Sequence, residues 1–174
     1  IKLWSAEEPN LYTAIYTLKK PDGTTVGTVS ERIGIRDAAF ASDDSGKQIF
    51  TVNGQTVSLF GVTYYEFSAV NGKALTRDEM IEDIKKMKEL NINAVRSPGV
   101  PLSREFISLC NEYGLYVVSD INLESEPYSS KNEQSIPGNQ GIWQTSLLDR
   151  LSNVVERDKN APSVILWGLG NESG

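Results

Sequence analysis

The sequence predicts an α/β fold: the first half of a (β/α)8 TIM barrel, preceded by part of an all-β sandwich. Three observations carry this. Residues 1–37 are β-prone and broken by a turn signal. From about Val57 onward, apolar strand runs alternate with amphipathic helices. Finally, 174 residues fall short of the roughly 250 that a complete barrel needs.

Leu11 to Leu18 and Thr24 to Ile33 are β-prone runs joined by Lys20-Pro21-Asp22-Gly23, residues that favour a tight turn. Two strands alone are marginal in water, so they are expected to belong to a larger sandwich. Ala38 to Lys47 is small, polar and turn-rich, as suits a domain junction. A hairpin is expected next, with Ile49–Val52 and Thr56–Phe60 flanking Asn53-Gly54-Gln55, since Asn-Gly favours the turn that strand twist requires. The expected domains are therefore 1–37, the last strands of a sandwich, and 38–174, the N-terminal half of a barrel.

Within the second domain, Val57 to Val62 reads as the first barrel strand. Thr76-Arg77-Asp78-Glu79 forms a capping box, and Met80, Ile84 and Met87, widened by Ile81 and Leu90, form the apolar stripe of a helix. Asn93 to Ser97 is a second strand. Phe106, Leu109, Cys110 and Tyr113 mark a second helix, with Gly114 at its C-cap. Leu115 to Val118 is a third strand, running into Ser119-Asp120. A loop covers about 125–141, with Trp143 near its end, as a lid or a cover for the barrel rim. Leu147, Leu148, Leu151, Val154 and Val155 predict a third helix, closed by Asn160 ahead of Pro162, and Val164 to Trp167 a fourth strand. Short strand–helix–strand connections imply parallel pairing. No glycine-rich phosphate loop opens any of the helices, which argues against a nucleotide-binding sheet.

Composition narrows the chemistry. The chain has one cysteine and no histidine. That excludes an internal disulfide, Ser-His and Cys-His nucleophile pairs, His-ligated zinc and imidazole bases. If this chain does acid–base chemistry near neutral pH, carboxylates must carry it. A net charge of −6 offers no electrostatic footprint for nucleic acid. No apolar run approaches the roughly 18–20 residues that span a bilayer, so neither nucleic acid nor membrane is an expected partner. No secretory leader is visible, and Ile1 is not an initiator methionine. A cytoplasmic and a secreted bacterial location both fit.

In a parallel barrel, functional groups collect where strands end. Here these are Tyr64, Tyr65, Glu66 and Phe67; Arg96, Ser97 and Pro98; Asp120, Asn122, Glu124 and Glu126; and Asn171 and Glu172. Charges at all four ends, with aromatic rings at the first, suit a sugar-binding pocket. Arg96 ends an inward-looking strand, where an unpaired guanidinium is costly. It is expected to pair with a neighbouring carboxylate, to orient the catalytic one, or both. Glu124 and Glu126 are either exposed loop carboxylates or ligands of a hard cation. Tyr64, Tyr65 and Phe67 read first as packing at the barrel mouth, and Cys110 as core. Glu172 follows the fourth strand and Asn171, which makes it the leading candidate for a catalytic acid.

The chain resembles glycoside hydrolase family 2, particularly its bacterial β-galactosidases. The residues that carry the resemblance run from Leu3 through Tyr12, from Asn91 through Arg96, from Tyr113 through Val118, and from Arg157 through Ile165 with Trp167 and Gly170–Gly174. It implies that residues 1–37 end an immunoglobulin-like domain. It also implies a retaining exo-β-glycosidase acting on a terminal β-galactoside, with Glu172 as acid/base and Asn171 and Arg96 contacting substrate. Glu66 joins them as an expected substrate contact, and Glu124 aligns with a carboxylate that helps bind magnesium. The nucleophile is expected on a later strand, beyond Gly174. A β-glucuronidase, a β-mannosidase and a catalytically inactive carbohydrate-binding relative are the alternatives. Where family members commonly carry histidines, this chain has Phe67, Gly99 and Glu126. Open strand edges on a half-barrel invite association, so a homo-oligomer is among the expected states.

Overall fold

The computed structural model describes residues 1–126, 136–138 and 140–173. Strand β1 (Tyr12–Lys19) pairs antiparallel with β2 (Thr25–Ile33) as a separate two-stranded ribbon around the predicted turn. The Asp22 carboxylate accepts from the Thr24 N–H at 2.9 Å and fixes that turn. Ile15, Leu18, Val26 and Val29 remain exposed on the ribbon.

Residues 38–42, expected as a junction, instead form strand β3 (Ala38–Ser42). It pairs with β4 (Gln48–Val52), which turns through Asn53-Gly54 into the two-residue β5 (Gln55–Thr56). Ala-Ala-Phe-Ala-Ser lacks the β-branched residues that announce a strand. Its pairing comes from across the hairpin, where Phe40 meets Phe50 edge-on at 5.4 Å. Asn53 and Gly54 both adopt positive φ, 54° and 77°, as a two-residue hairpin turn of this type requires.

The barrel half is a sheet of four parallel strands in sequential order: β6 (Gly61–Thr63), β7 (Ala94–Arg96), β8 (Tyr116–Asp120) and β9 (Val164–Gly168). Helices α1 (Arg77–Glu89), α2 (Arg104–Tyr113) and α3 (Gln144–Asp158) make the crossovers, α3 following a 3-10 turn at Gly141–Trp143. The first barrel strand starts later than Val57 because Phe60 donates its N–H to the Asn93 side chain at 2.8 Å, outside the ladder. The predicted loop of 125–141 lies largely outside the described residues.

Strand alternation sorts the side chains into two faces. Val95, Val117 and Val164 join Ile84, Phe106, Leu109, Cys110 and Leu115 in the core beneath the helices. Tyr64 stacks on Phe106 with ring centres 4.4 Å apart. Burial pushes the Cys110 thiol well above its usual range, which fits a packing role. On the opposite face, Ala94, Tyr116 and Ile165 pack with Val52, Trp4 and Ala6. Two helical stripes differ from expectation. Leu90 is exposed at the C-cap of α1. On α3 only Val154 and Asp158 are buried, while Leu147 is half-buried and Leu148 exposed.

The α1 capping box forms in full. Thr76 Oγ1 accepts from the Glu79 N–H at 3.3 Å, and Glu79 accepts from the Thr76 N–H at 2.8 Å. Thr76→Ala is expected to cost about 1 kcal/mol in urea unfolding. Hydrogen bonds, first that from the Ser68 hydroxyl, lower the Glu79 carboxyl from 4.5 to about 2. A depressed carboxylate stabilises the fold above its unfolded value and loses that contribution as pH falls through the folded one. Glu79→Gln should therefore lower the melting temperature at neutral pH. Its gap from the parent chain should close as pH falls from 4.5 toward 2; a constant gap would exclude the linkage.

Candidate active site

The C-terminal ends of β7, β8 and β9 converge on one ion pair. The Asp120 side chain is fully buried, while that of Arg96 is 41% exposed toward the barrel mouth. Arg96 Nε donates to Asp120 Oδ1 at 3.1 Å, and Nη2 donates to Oδ2 at 2.7 Å. Such a two-pronged guanidinium–carboxylate contact fixes orientation as well as charge. Hydrogen bonding to Asp120 holds the Arg96 guanidinium more firmly protonated than usual. The Gly99 N–H also donates to Asp120 Oδ2, at 3.1 Å.

Arg96 then reaches the loop after β9. Its Nη2 lies 3.3 Å from the Gly170 carbonyl and 3.4 Å from Asn171 Oδ1. Pairing between β8 and β9 resumes beyond the strands as a parallel bridge between Glu124 and Asn171, with the Asn171 N–H donating to the Leu123 carbonyl at 2.8 Å. Glu172 follows, exposed and with φ of 43°. That left-handed conformation is uncommon outside glycine and concentrates at functional sites. Arg96, Asn171 and Glu172 are thus gathered by consecutive strand ends, and Glu124 lies alongside.

Glu66 sits elsewhere. Its carboxylate accepts from the Ser103 N–H at 2.6 Å and from the Ser103 hydroxyl. Ser103 in turn caps α2 through the Phe106 N–H at 3.1 Å. Glu66 is therefore tied to the start of α2 through Ser103. Among the described residues no group of three or more Asp, Glu, Cys or His side chains is arranged to hold a metal ion; a magnesium ion at Glu124 would need water or further oxygen ligands to complete its shell. At Gly99, φ is +65°, and an added Cβ would lie 2.9 Å from the Glu124 Cβ, so a side chain here would be strained and crowded.

Sequence reasoning named Asp120 only as a strand-end residue and missed its partnership with Arg96. The signal was there: an inward arginine at the end of one strand calls for an inward carboxylate on the next. Gly168 could not be found that way. It pairs with Asp120 across the sheet, and an added Cβ would lie 1.9 Å from Asp120 Oδ1.

A family profile described as "Glycosyl hydrolases family 2, TIM barrel domain" matches residues 45–174, and one described as "Glycosyl hydrolases family 2" matches residues 1–36. The chain belongs to glycoside hydrolase family 2. Within this family it is 44% identical to a β-galactosidase of Priestia megaterium, over 98% of the chain and 16% of that protein. It is 43% identical to a β-galactosidase of Clostridium acetobutylicum, over 99% of the chain and 19% of that protein. The chain thus spans less than a fifth of the length of these relatives. Among solved structures it resembles Bacteroides uniformis β-glucuronidase 3, with a TM-score of 0.74 and 32% identity over 98% of the chain and 20% of that protein. A β-glucuronidase of Ruminococcus gnavus shares the fold, with a TM-score of 0.86 at 23% identity over 100% of the chain and 28% of that protein. The half-barrel with its preceding β segment is therefore a glycoside hydrolase family 2 architecture. No helix among the described residues is long and apolar enough to cross a membrane.

Proposed function

We propose that the complete enzyme containing this chain is a retaining exo-β-glycosidase acting on terminal β-galactosides, with Glu172 as its general acid/base. The observation that carries this reading is the placement of Glu172. It stands exposed beyond the fourth parallel strand, beside an Asn171 that Arg96 contacts. Protonated Glu172 donates to the glycosidic oxygen as the bond to the anomeric carbon breaks. A nucleophilic carboxylate, expected roughly 5–5.5 Å away in a retaining enzyme, takes that carbon as a covalent glycosyl-enzyme. Glu172, now ionised, removes a proton from the water that releases the sugar.

The nucleophile is proposed to come from a later barrel strand. Asp120 is paired with Arg96, and Glu66 with Ser103. Asn171 and the remaining donors of Arg96 face the same mouth and suit sugar hydroxyls or the partner carboxylate.

The choice of galactoside rests on relatives 44% and 43% identical that are named β-galactosidases. A β-glucuronidase is the second reading, favoured by the 32% identity to a β-glucuronidase structure. A panel of nitrophenyl β-galactoside, β-glucuronide and β-mannoside separates the two, with the galactoside expected to have the highest kcat/KM. Equal rates for the complete enzyme and its Glu172→Gln form would remove Glu172 from the mechanism.

A further inference from the structure

We infer that Asp120 is a positioning residue that sets the acid/base loop through Arg96. This rests on the reading of Glu172 as the acid/base. The carboxylate of Asp120 joins three strand ends. It accepts from Arg96 at the end of β7, accepts from the Gly99 N–H in the following loop, and lies over the Cα of Gly168 at the end of β9. A buried carboxylate costs free energy unless it is paired and hydrogen-bonded, and here both oxygens are engaged.

The consequence lies one contact further out. With Nε and Nη2 held by Asp120, the guanidinium plane is fixed, and Nη2 is left facing the Gly170 carbonyl and Asn171 Oδ1. Those contacts, with the Asn171–Leu123 backbone bond, define where the chain turns into Glu172. Asp120 touches neither Glu172 nor the mouth, so its influence runs through Arg96. Gly168 is part of the same device. Its missing side chain is the space that the Asp120 carboxylate fills, with Oδ1 only 1.9 Å from the ideal Cβ position.

A positioning role predicts a specific kinetic signature. A phenyl leaving group needs its oxygen protonated as the bond breaks, whereas a dinitrophenyl group leaves with little help. A misplaced acid therefore slows the first substrate and spares the second, while simple loss of folded enzyme slows both alike. The complete enzyme is compared with its Asp120→Asn, Arg96→Lys, Asp120→Asn/Arg96→Lys and Glu172→Gln forms on phenyl and dinitrophenyl β-galactosides, with a thermal melt of each.

Asp120→Asn should lower kcat/KM about 10- to 100-fold on the phenyl substrate and less than about threefold on the dinitrophenyl one. The double variant should be no slower than the slower single, because the two residues act as one unit. Equal losses on both substrates, no loss, or additive losses in the double variant would overturn the proposal. If Asp120→Asn does not fold, Gly168→Ala decides in its place: it crowds the same carboxylate without changing charge and should show the same selective loss.

The Glu172→Gln form separates the two levels of inference. If it hydrolyses the phenyl substrate normally, the acid/base reading itself fails. If it is inactive there while Asp120→Asn hydrolyses the phenyl substrate at the parent rate, only the positioning role of Asp120 fails.

Discussion

Glu172→Ala in the complete enzyme is expected to lower kcat/KM for a phenyl β-galactoside by about a hundred- to ten-thousandfold, the usual contribution of a positioned general acid. The physical origin is the proton. Without Glu172 the departing oxygen must leave as an alkoxide or phenoxide, so the loss should grow with the basicity of the leaving group. With a dinitrophenyl substrate the first step should be nearly normal, and the glycosyl-enzyme should accumulate, because the second step has lost its base. A burst of dinitrophenol followed by slow turnover is the expected trace. Azide, a small nucleophile that needs no base, should restore turnover and give the β-glycosyl azide. Absence of both burst and azide rescue would mean that Glu172 is not the acid/base.

The second large effect concerns stability. Trp4→Ala is expected to cost about 3–5 kcal/mol, a large share of the roughly 5–15 kcal/mol that holds a domain folded. Trp4 is 0% exposed, meets Tyr116 edge-on at 5.8 Å and packs with Val52 and Ala94. Its indole N–H donates to the Asn111 carbonyl at 2.9 Å, 107 residues along the chain. Truncation removes the ring and strands a buried carbonyl. Trp4→Phe keeps most of the apolar area and loses only the hydrogen bond, so it should cost about 1–3 kcal/mol. Urea unfolding of the chain measures both. A loss below about 1 kcal/mol for Trp4→Ala would show that the N-terminal segment contributes little to the folded core.

That segment also marks where sequence reasoning stopped. β-Propensity, a turn signal and a family resemblance point residues 1–37 to a sandwich, but none of these says where a chain end packs. In the structure Trp4 and Ala6 lie against the barrel strands, and Lys88 Nζ donates to the Ala6 and Gly114 carbonyls at 3.0 and 2.9 Å. Arg36 likewise reaches across to the Pro162 carbonyl at 2.8 Å. These contacts join residues far apart in sequence, and no local period records them. Strand β3 was hidden for a related reason: its alanines and serine become a strand only because β4 pairs with them.

Local rules did well where structure is local. The Thr76–Glu79 capping box and the Gly114 C-cap, with φ of 77°, depend on residues three or four apart. The order of strands and helices depends on hydrophobic period and short connections, which a single sequence records in full. The position of Glu172 after the fourth strand was legible because knowing the strand located the loop that follows it. By itself, then, the sequence determined the half-barrel and its parallel order, and it left carboxylates as the candidate acid–base groups of a chain without histidine. The tertiary structure alone decided that Asp120 is the partner of Arg96, that Gly168 makes room for it, and that Glu66 belongs to a helix cap. Those assignments depend on which side chains meet across neighbouring strands and loops, and packing fixes that at the scale of an ångström.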